Sequence, residues 1–406
     1  MRSAQGACGR ELEMDVVTDV RDDHHLINVV RKLPYRTLRF ARRMVAVFSL
    51  IAGLLCHPVL AIDDNEPGMR ELLRSDNAEY SLTFENDLWF GTDRDYTNAL
   101  RMQKTANWDS RDGDSYFTEQ SSDGPVNYKL IGGAHIANNI YTGGNIKLPL
   151  AEIPEDDRPY AGWTYVGLSK QRVFEDDSIR KWELDIGCLG PCAGSRQIQT
   201  KIHDAGDSAA PQGWDNQIAD TIALQYFYDM QFPIPENHIR RRSNNPAVRK
   251  IDFARSLHVA AGTVFNTLGV GAAVRIGKLR GYYDGIGLPG PIPSVKRHAF
   301  VTPRARERFA YARAKVRYVA HNATIEGALI NDQSPFTQDA REVVLDLELG
   351  FSWQRKHCTF NVYAATRSTE IEAQAFRSRN HAWGGIQIHG FRCAASLFAL
   401  GLALSL

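Results

Sequence analysis

The 406-residue chain balances 48 basic against 47 acidic side chains, so no cationic excess is available to neutralise a phosphate backbone and nucleic acid is excluded as a partner. No Pro/Ser/Gly-rich linker or block of like charge interrupts it beyond the first 61 residues, which argues for one domain there.

Arg36, Arg39, Arg42 and Arg43 precede an apolar run that opens at Met44, and Val59-Leu60-Ala61 closes it with small residues at the two positions a signal peptidase reads. A secretory signal cleaved after Ala61 is the expectation. A spanning helix needs roughly 20 apolar residues, and Cys56, His57 and Pro58 cut this run short. Residues 1–43 resemble no targeting element, and Met44 is a candidate start. The domain reading is therefore an N-terminal extension and signal over residues 1–61 and an exported unit over residues 62–406. That unit carries 39 basic and 41 acidic groups.

Period-two alternation dominates the exported unit. In the clearest strand, Val343, Leu345, Leu347, Leu349, Phe351 and Trp353 share one face, against Asp346, Glu348 and Ser352 on the other. Trp182, Leu184, Ile186 and Cys188 alternate in the same way, as do Ile222, Leu224, Tyr226 and Tyr228. Further strands are expected to begin near Tyr80, Thr97, Trp163, Leu257, Ala310 and Phe360. The opposite faces hold Arg101, Gln103, Asp185, Gln225, Asp346 and Glu348, which a dry sandwich core would bury only at high cost but a wet lumen can hold. Aromatic residues at strand ends, among them Trp89, Phe90, Trp163, Tyr165, Trp353 and Trp383, suit the girdles of a membrane barrel. No apolar run after residue 61 is long enough for a spanning helix, so the fold expected is all-β, a closed transmembrane antiparallel barrel. The competing fold, a soluble periplasmic β-domain, would show the same alternation.

Four cysteines remain after cleavage: Cys188, Cys192, Cys358 and Cys393. In an oxidising compartment the first two can close a small structural loop. Residues 393–406 form an apolar tail without alternation, expected to be irregular.

Chemistry concentrates between Tyr80 and Met102, where Glu85-Asn86-Asp87, Asp93-Arg94-Asp95 and Thr97-Asn98 interrupt the alternation. Oxygen-rich clusters at a strand end face water or bind a hard cation. Asn86 and Asp87 would equally suit an ordinary turn. This stretch, then NNIYTGG (Asn138–Gly144) with DDRPYAGW (Asp156–Trp163), then GCLGPCAGSRQIQTKIHD (Gly187–Asp204), then GWDNQ (Gly213–Gln217), resembles the lipid A 3-O-deacylase (LpxR) family in order and spacing.

That resemblance implies an outer-membrane barrel of about twelve strands that removes the 3′-acyloxyacyl chain of lipid A with calcium, acting as a monomer among outer-membrane lipids. It assigns catalysis to His203, Gln199 and Asn86, and a calcium shell to Asp87 and Thr97. Ester hydrolysis by water needs a base that titrates near neutrality, which suits His203. Gln199 lies four residues earlier and shares its face on a helix or a strand. A loop histidine without a catalytic role is the plainer alternative. The resemblance further implies a substrate-contacting Lys beyond the IYT segment, to which Lys147 corresponds; Arg158 is a candidate phosphate contact, since guanidinium forks suit the phosphates of lipid A, although it could instead pair with Asp157.

The chain departs from the family at one metal position. Ala209 stands where the family has a calcium-binding Glu, and Asp207 is the expected substitute from the same loop. Pro211 replaces a family Tyr, and Ala99 a Gly. Ala209 favours a second reading, an inactive structural or binding barrel of the outer membrane.

Overall fold

The structure, a computed structural model, describes residues 78–107, 117–121, 124–234, 249–279, 307–329, 333–355, 358–377 and 380–390, with four isolated residues between 66 and 73. The expected signal, the tail after Cys393 and Cys393 itself lie outside the described residues.

Thirteen strands follow in chain order: β1 (Ala78–Asn86), β2 (Asp95–Asn107), β3 (Phe117–Ser121), β4 (Gly124–Thr142), β5 (Ala161–Phe174), β6 (Ile179–Leu189), β7 (Thr221–Pro233), β8 (Arg249–Gly262), β9 (Phe265–Leu279), β10 (Arg308–Asn322), β11 (Val343–Arg355), β12 (Cys358–Arg367) and β13 (His381–His389). Neighbours pair antiparallel, β1 closes on β13, and β2 pairs with β4 past the short β3. The result is a closed 12-stranded antiparallel barrel with β3 as an appendage on β4. Closure leaves no free edge, as a bilayer requires.

The alternation resolves as a wet lumen and an apolar wall. Leu345, Leu347, Leu349 and Phe351 of β11 are exposed on the outside, as are Leu184 and Ile186 of β6 and Ile222 and Leu224 of β7. Asp346, Glu348, Asp185 and Gln225 are buried within. There they are paired: Arg101 grips Glu183 through two bonds of 3.0 Å, and Asp346 accepts from Arg317 and Arg367, both at 2.7 Å. A charge enclosed without such a partner would cost several kcal/mol.

Two expectations fail for physical reasons. Trp163, Tyr165 and Trp383 are not girdle residues. They point inward with Tyr96, Tyr141 and Phe265 into one buried aromatic layer, in which Trp163 of β5 meets Phe265 of β9 across the lumen at 5.5 Å. Strands β4, β9 and β13 were also not distinguished by alternation, because Gly132-Gly133-Ala134, Gly271-Ala272-Ala273 and Gly384-Gly385 erase the contrast between faces.

The connections β1–β2, β4–β5, β6–β7, β10–β11 and β12–β13, largely described, lie at one rim. The chain enters β1 and leaves β13 at the other rim. The β6–β7 connection contains helix α1 (Ser195–Ala205) and the β10–β11 connection the single turn α2 (Ala323–Glu326).

A candidate active site at the barrel rim

Helix α1 is amphipathic in an inverted sense. Ser195, Gln199 and His203, spaced four apart on one face, turn toward the protein, where Ser195 and Gln199 are buried, while Ile198 and Ile202 are exposed. Such a helix suits a boundary between protein and lipid. The Cys188–Cys192 disulfide fixes the path from β6 into α1, and the Cys192 N–H donates to Asp220 Oδ1 at 2.7 Å. Close approach of α1 to β5 demands a glycine at 162, since a Cβ there would lie 2.3 Å from Ser195 Oγ.

His203 projects from the last turn of α1. Its Nδ1 is 2.8 Å from the carbonyl oxygen of Ala209. A carbonyl only accepts, so Nδ1 carries the proton and Nε2 holds the lone pair of the neutral ring. Nε2 in turn lies 3.3 Å from Asp93 Oδ2. The family's acidic position is thus occupied by a residue whose backbone, rather than its side chain, orients the imidazole.

Asp87 follows β1 directly. Its carboxylate accepts the Arg94 N–H at 2.8 Å and the Thr92 hydroxyl at 3.2 Å, folding the loop that presents Asp93. Its own N–H donates to the Thr97 carbonyl at 3.2 Å. Burial pushes the Asp87 carboxyl up to about 8; the Asp93 charge adds to this, and the Arg94 N–H and Thr92 hydroxyl oppose it. Asp93 is raised by burial and pulled back by His203.

The expected residues therefore converge only in part. Asp87, Thr97 and His203 share one region, joined by Asp93, which the sequence reading left without a role. Thr97 contributes its carbonyl to Asp87, and its hydroxyl bonds that of Thr142 at 2.6 Å. Asn86 uses Oδ1 to accept the Leu88 N–H at 2.7 Å. Gln199 holds neither the ring nor Asp87: the Trp214 indole N–H donates to its Oε1 at 2.9 Å, and its Nε2 is buried without a partner among the described residues. Trp214 stacks edge-on against Tyr160, with ring centroids 5.2 Å apart. Lys147 is exposed in the β4–β5 connection, its backbone N–H bonded to Asn145.

Two candidates lie apart from this region. Asp207 is exposed on the loop after α1, with a left-handed backbone at φ 49°. Arg158 is buried, donating to Glu370 at 3.0 Å and Thr324 at 2.8 Å across three connections of the rim. Those bonds tie the connections together. Asp157 instead accepts the Gly144 N–H at 2.9 and 2.8 Å through its two oxygens.

The group implied by the resemblance is a calcium ion, and the side chains fit one. The Asp93 charge disfavours ionisation of the neighbouring Asp87, and Asp93 Oδ1 is buried with no bonding partner among the described residues. Hard cations take oxygen donors of this kind.

A family model described as "Outer membrane protein LpxR" matches residues 47–390. Among solved structures, LpxR from Salmonella typhimurium is 18% identical, with a TM-score of 0.57 over 77% of this chain and 99% of that one. The β domain of the Bordetella autotransporter BrkA follows at 9% identity, TM-score 0.32, over 78% of this chain and 99% of that one. Comparison with curated protein sequences gave no match. With its barrel, its motifs and the match over most of its length, the chain belongs to the LpxR family of outer membrane proteins.

Proposed function

We propose that the protein is an outer-membrane hydrolase that removes the 3′-linked acyloxyacyl chain from lipid A. The observation that carries this reading is the setting of His203: Nδ1–H donates to the Ala209 carbonyl, which leaves the Nε2 lone pair as a base, 3.3 Å from Asp93 Oδ2.

Neutral Nε2 accepts a proton from a water molecule as its oxygen attacks the ester carbonyl. The imidazolium is stabilised by the Asp93 carboxylate and returns the proton to the departing sugar oxygen. Cleavage yields a free acyloxyacyl carboxylic acid and a hydroxyl on the sugar. Asp87 and Asp93, with the Thr97 carbonyl nearby, would hold calcium, which when bound supplies Lewis-acid stabilisation of the charge developing on the ester oxygen. Asn86 and the exposed Lys147 remain candidates to meet the substrate's polar headgroup.

The exposed segment Leu88-Trp89-Phe90 next to Asp87 supports action on a lipid, as does the outward apolar face of α1. The rim opposite the two chain ends is read as the outer surface. The alternative, an inactive barrel serving as a structural or binding protein, is favoured by Ala209 in place of the family's Glu.

Mass spectrometry of lipid A from cells expressing the native chain or His203→Ala separates the two. Loss of one acyloxyacyl unit with the native chain alone is expected. Identical spectra would leave the inactive-barrel reading standing.

A further inference from the structure

The outer wall contains an open apolar groove of about 610 Å³ lined by β8 to β13 and by Phe90. This falls within the roughly 300–1,000 Å³ of ligand clefts. Its floor follows the register of the barrel. Val274, Ala312, Leu349, Ala364 and Gly384 are successive cross-strand partners from β9 to β13, and Gly384 pairs with Asn86. The neighbouring row, nearer the active-site rim, contains Ala272 and Ala314. On β5 and β6 the outward positions carry larger side chains, Val166, Leu168, Leu184 and Ile186.

The row is oblique to the membrane. Asn86 ends β1 at the active-site rim, whereas Val274 lies nine residues inside β9 from that same rim. At about 4.8 Å per strand, the floor from β9 to β13 extends roughly 19 Å. Its upper end is roofed by the loop after Asp87. Trp89 packs on Gly384 so closely that a Cβ there would sit 2.1 Å from the indole, and Phe84 of β1 meets the same ring edge-on at 6.1 Å.

The geometry points to this groove as the subsite for an acyl chain of the glycolipid substrate, guiding it from Asn86 down into the bilayer. The assignment rests on the proposed hydrolysis and adds to it the part of the wall that reads the chain. A bulk lipid would have no reason to prefer this wall, but a chain whose headgroup is held at Asp87 starts at the groove's upper end. The small residues Ala312, Ala364 and Gly384 on the floor admit it, and Phe90 flanks its upper end.

Two measurements test this. Purified full-length protein in detergent micelles is given lipid A, or an analogue with the same headgroup and short acyl chains. Ala364→Phe fills the groove with a lipid-facing apolar side chain, and Val166→Phe adds the same bulk on β5 as a control. Ala364→Phe is expected to raise KM for lipid A roughly tenfold, the equivalent of leaving about two methylenes unburied, with kcat within about twofold and the short-chain analogue unaffected. Equal effects of both variants, or no effect of either, would overturn the assignment. Independently of turnover, lipid A bearing a diazirine near the end of an acyl chain should label Val274 and Ala312 preferentially, and labelling spread evenly around the wall would overturn it. If the native chain cleaves neither substrate, the proposed reaction fails while the labelling still decides the groove.

Discussion

His203 Nε2 stands 3.3 Å from Asp93 Oδ2 while Nδ1 is held by the Ala209 carbonyl, so the ring is fixed at both ends by groups from two different connections of the rim. Removing the base by His203→Ala is expected to lower kcat by about 10²–10⁴. Asp93→Asn keeps the shape but loses the charge, and should cost roughly 10–100-fold in activity or calcium affinity. Calcium titration of both variants alongside turnover checks this. An Asp93→Asn protein that binds and turns over like the native chain would remove Asp93 from the site.

Asp87 gives a pH signature. Its folded carboxyl titrates at about 8 against 3.8 for the free group, so the folded protein binds the proton more tightly than the unfolded chain. The stability it contributes is present below pH ~4 and is lost as pH rises through about 8. In calcium-free detergent, the melting temperature should fall across that window, and Asp87→Asn should flatten the dependence. A native melting curve independent of pH would contradict the burial of this carboxyl.

Arg158→Ala tests whether this guanidinium holds the rim together or meets substrate. Glu370 would keep Arg367 at 3.1 Å but lose Arg158. Breaking a buried ion pair costs about 3–5 kcal/mol, and the lower end is expected here. Unfolding should shift accordingly with KM for lipid A unchanged. A rise in KM without a loss of stability would return Arg158 to the substrate.

The Cys188–Cys192 bridge closes a five-residue loop at the base of α1. Loop closure of that length is worth about 2 kcal/mol in the chain-entropy account. Replacing both cysteines with serine should lower the melting temperature modestly and reduce kcat more than KM, because α1 carries His203. Unchanged kcat would show that packing of Ser195 against Gly162 suffices to hold the helix.

Much of the fold was legible because lipid and lumen impose opposite demands on alternate residues. Leu345 and Asp346 could not exchange faces. Where both faces carry small residues, as at Gly132-Gly133-Ala134 of β4, that contrast vanishes and the strand is silent. The inward turn of Trp163 was hidden for a related reason: alternation sets the spacing of faces, not which one meets lipid, and an aromatic ring is at home in either setting. At the proposed site, Asp87, Thr97 and His203 were named through motif resemblance. Asp93 was visible only as part of a polar cluster, because its approach to His203 spans two connections that the sequence separates by 110 positions. The role of Ala209 had no side-chain signal at all, since its contribution is a carbonyl that every residue possesses.

The ring of Trp163 against Phe265, with the neighbouring tyrosines and the guanidinium of Arg158 over Tyr141, fills the space inside the cylinder between β5 and β9. Packed rings there leave less room for water than the charged stretch of lumen farther from the rim, so this layer narrows whatever path the interior offers a solute.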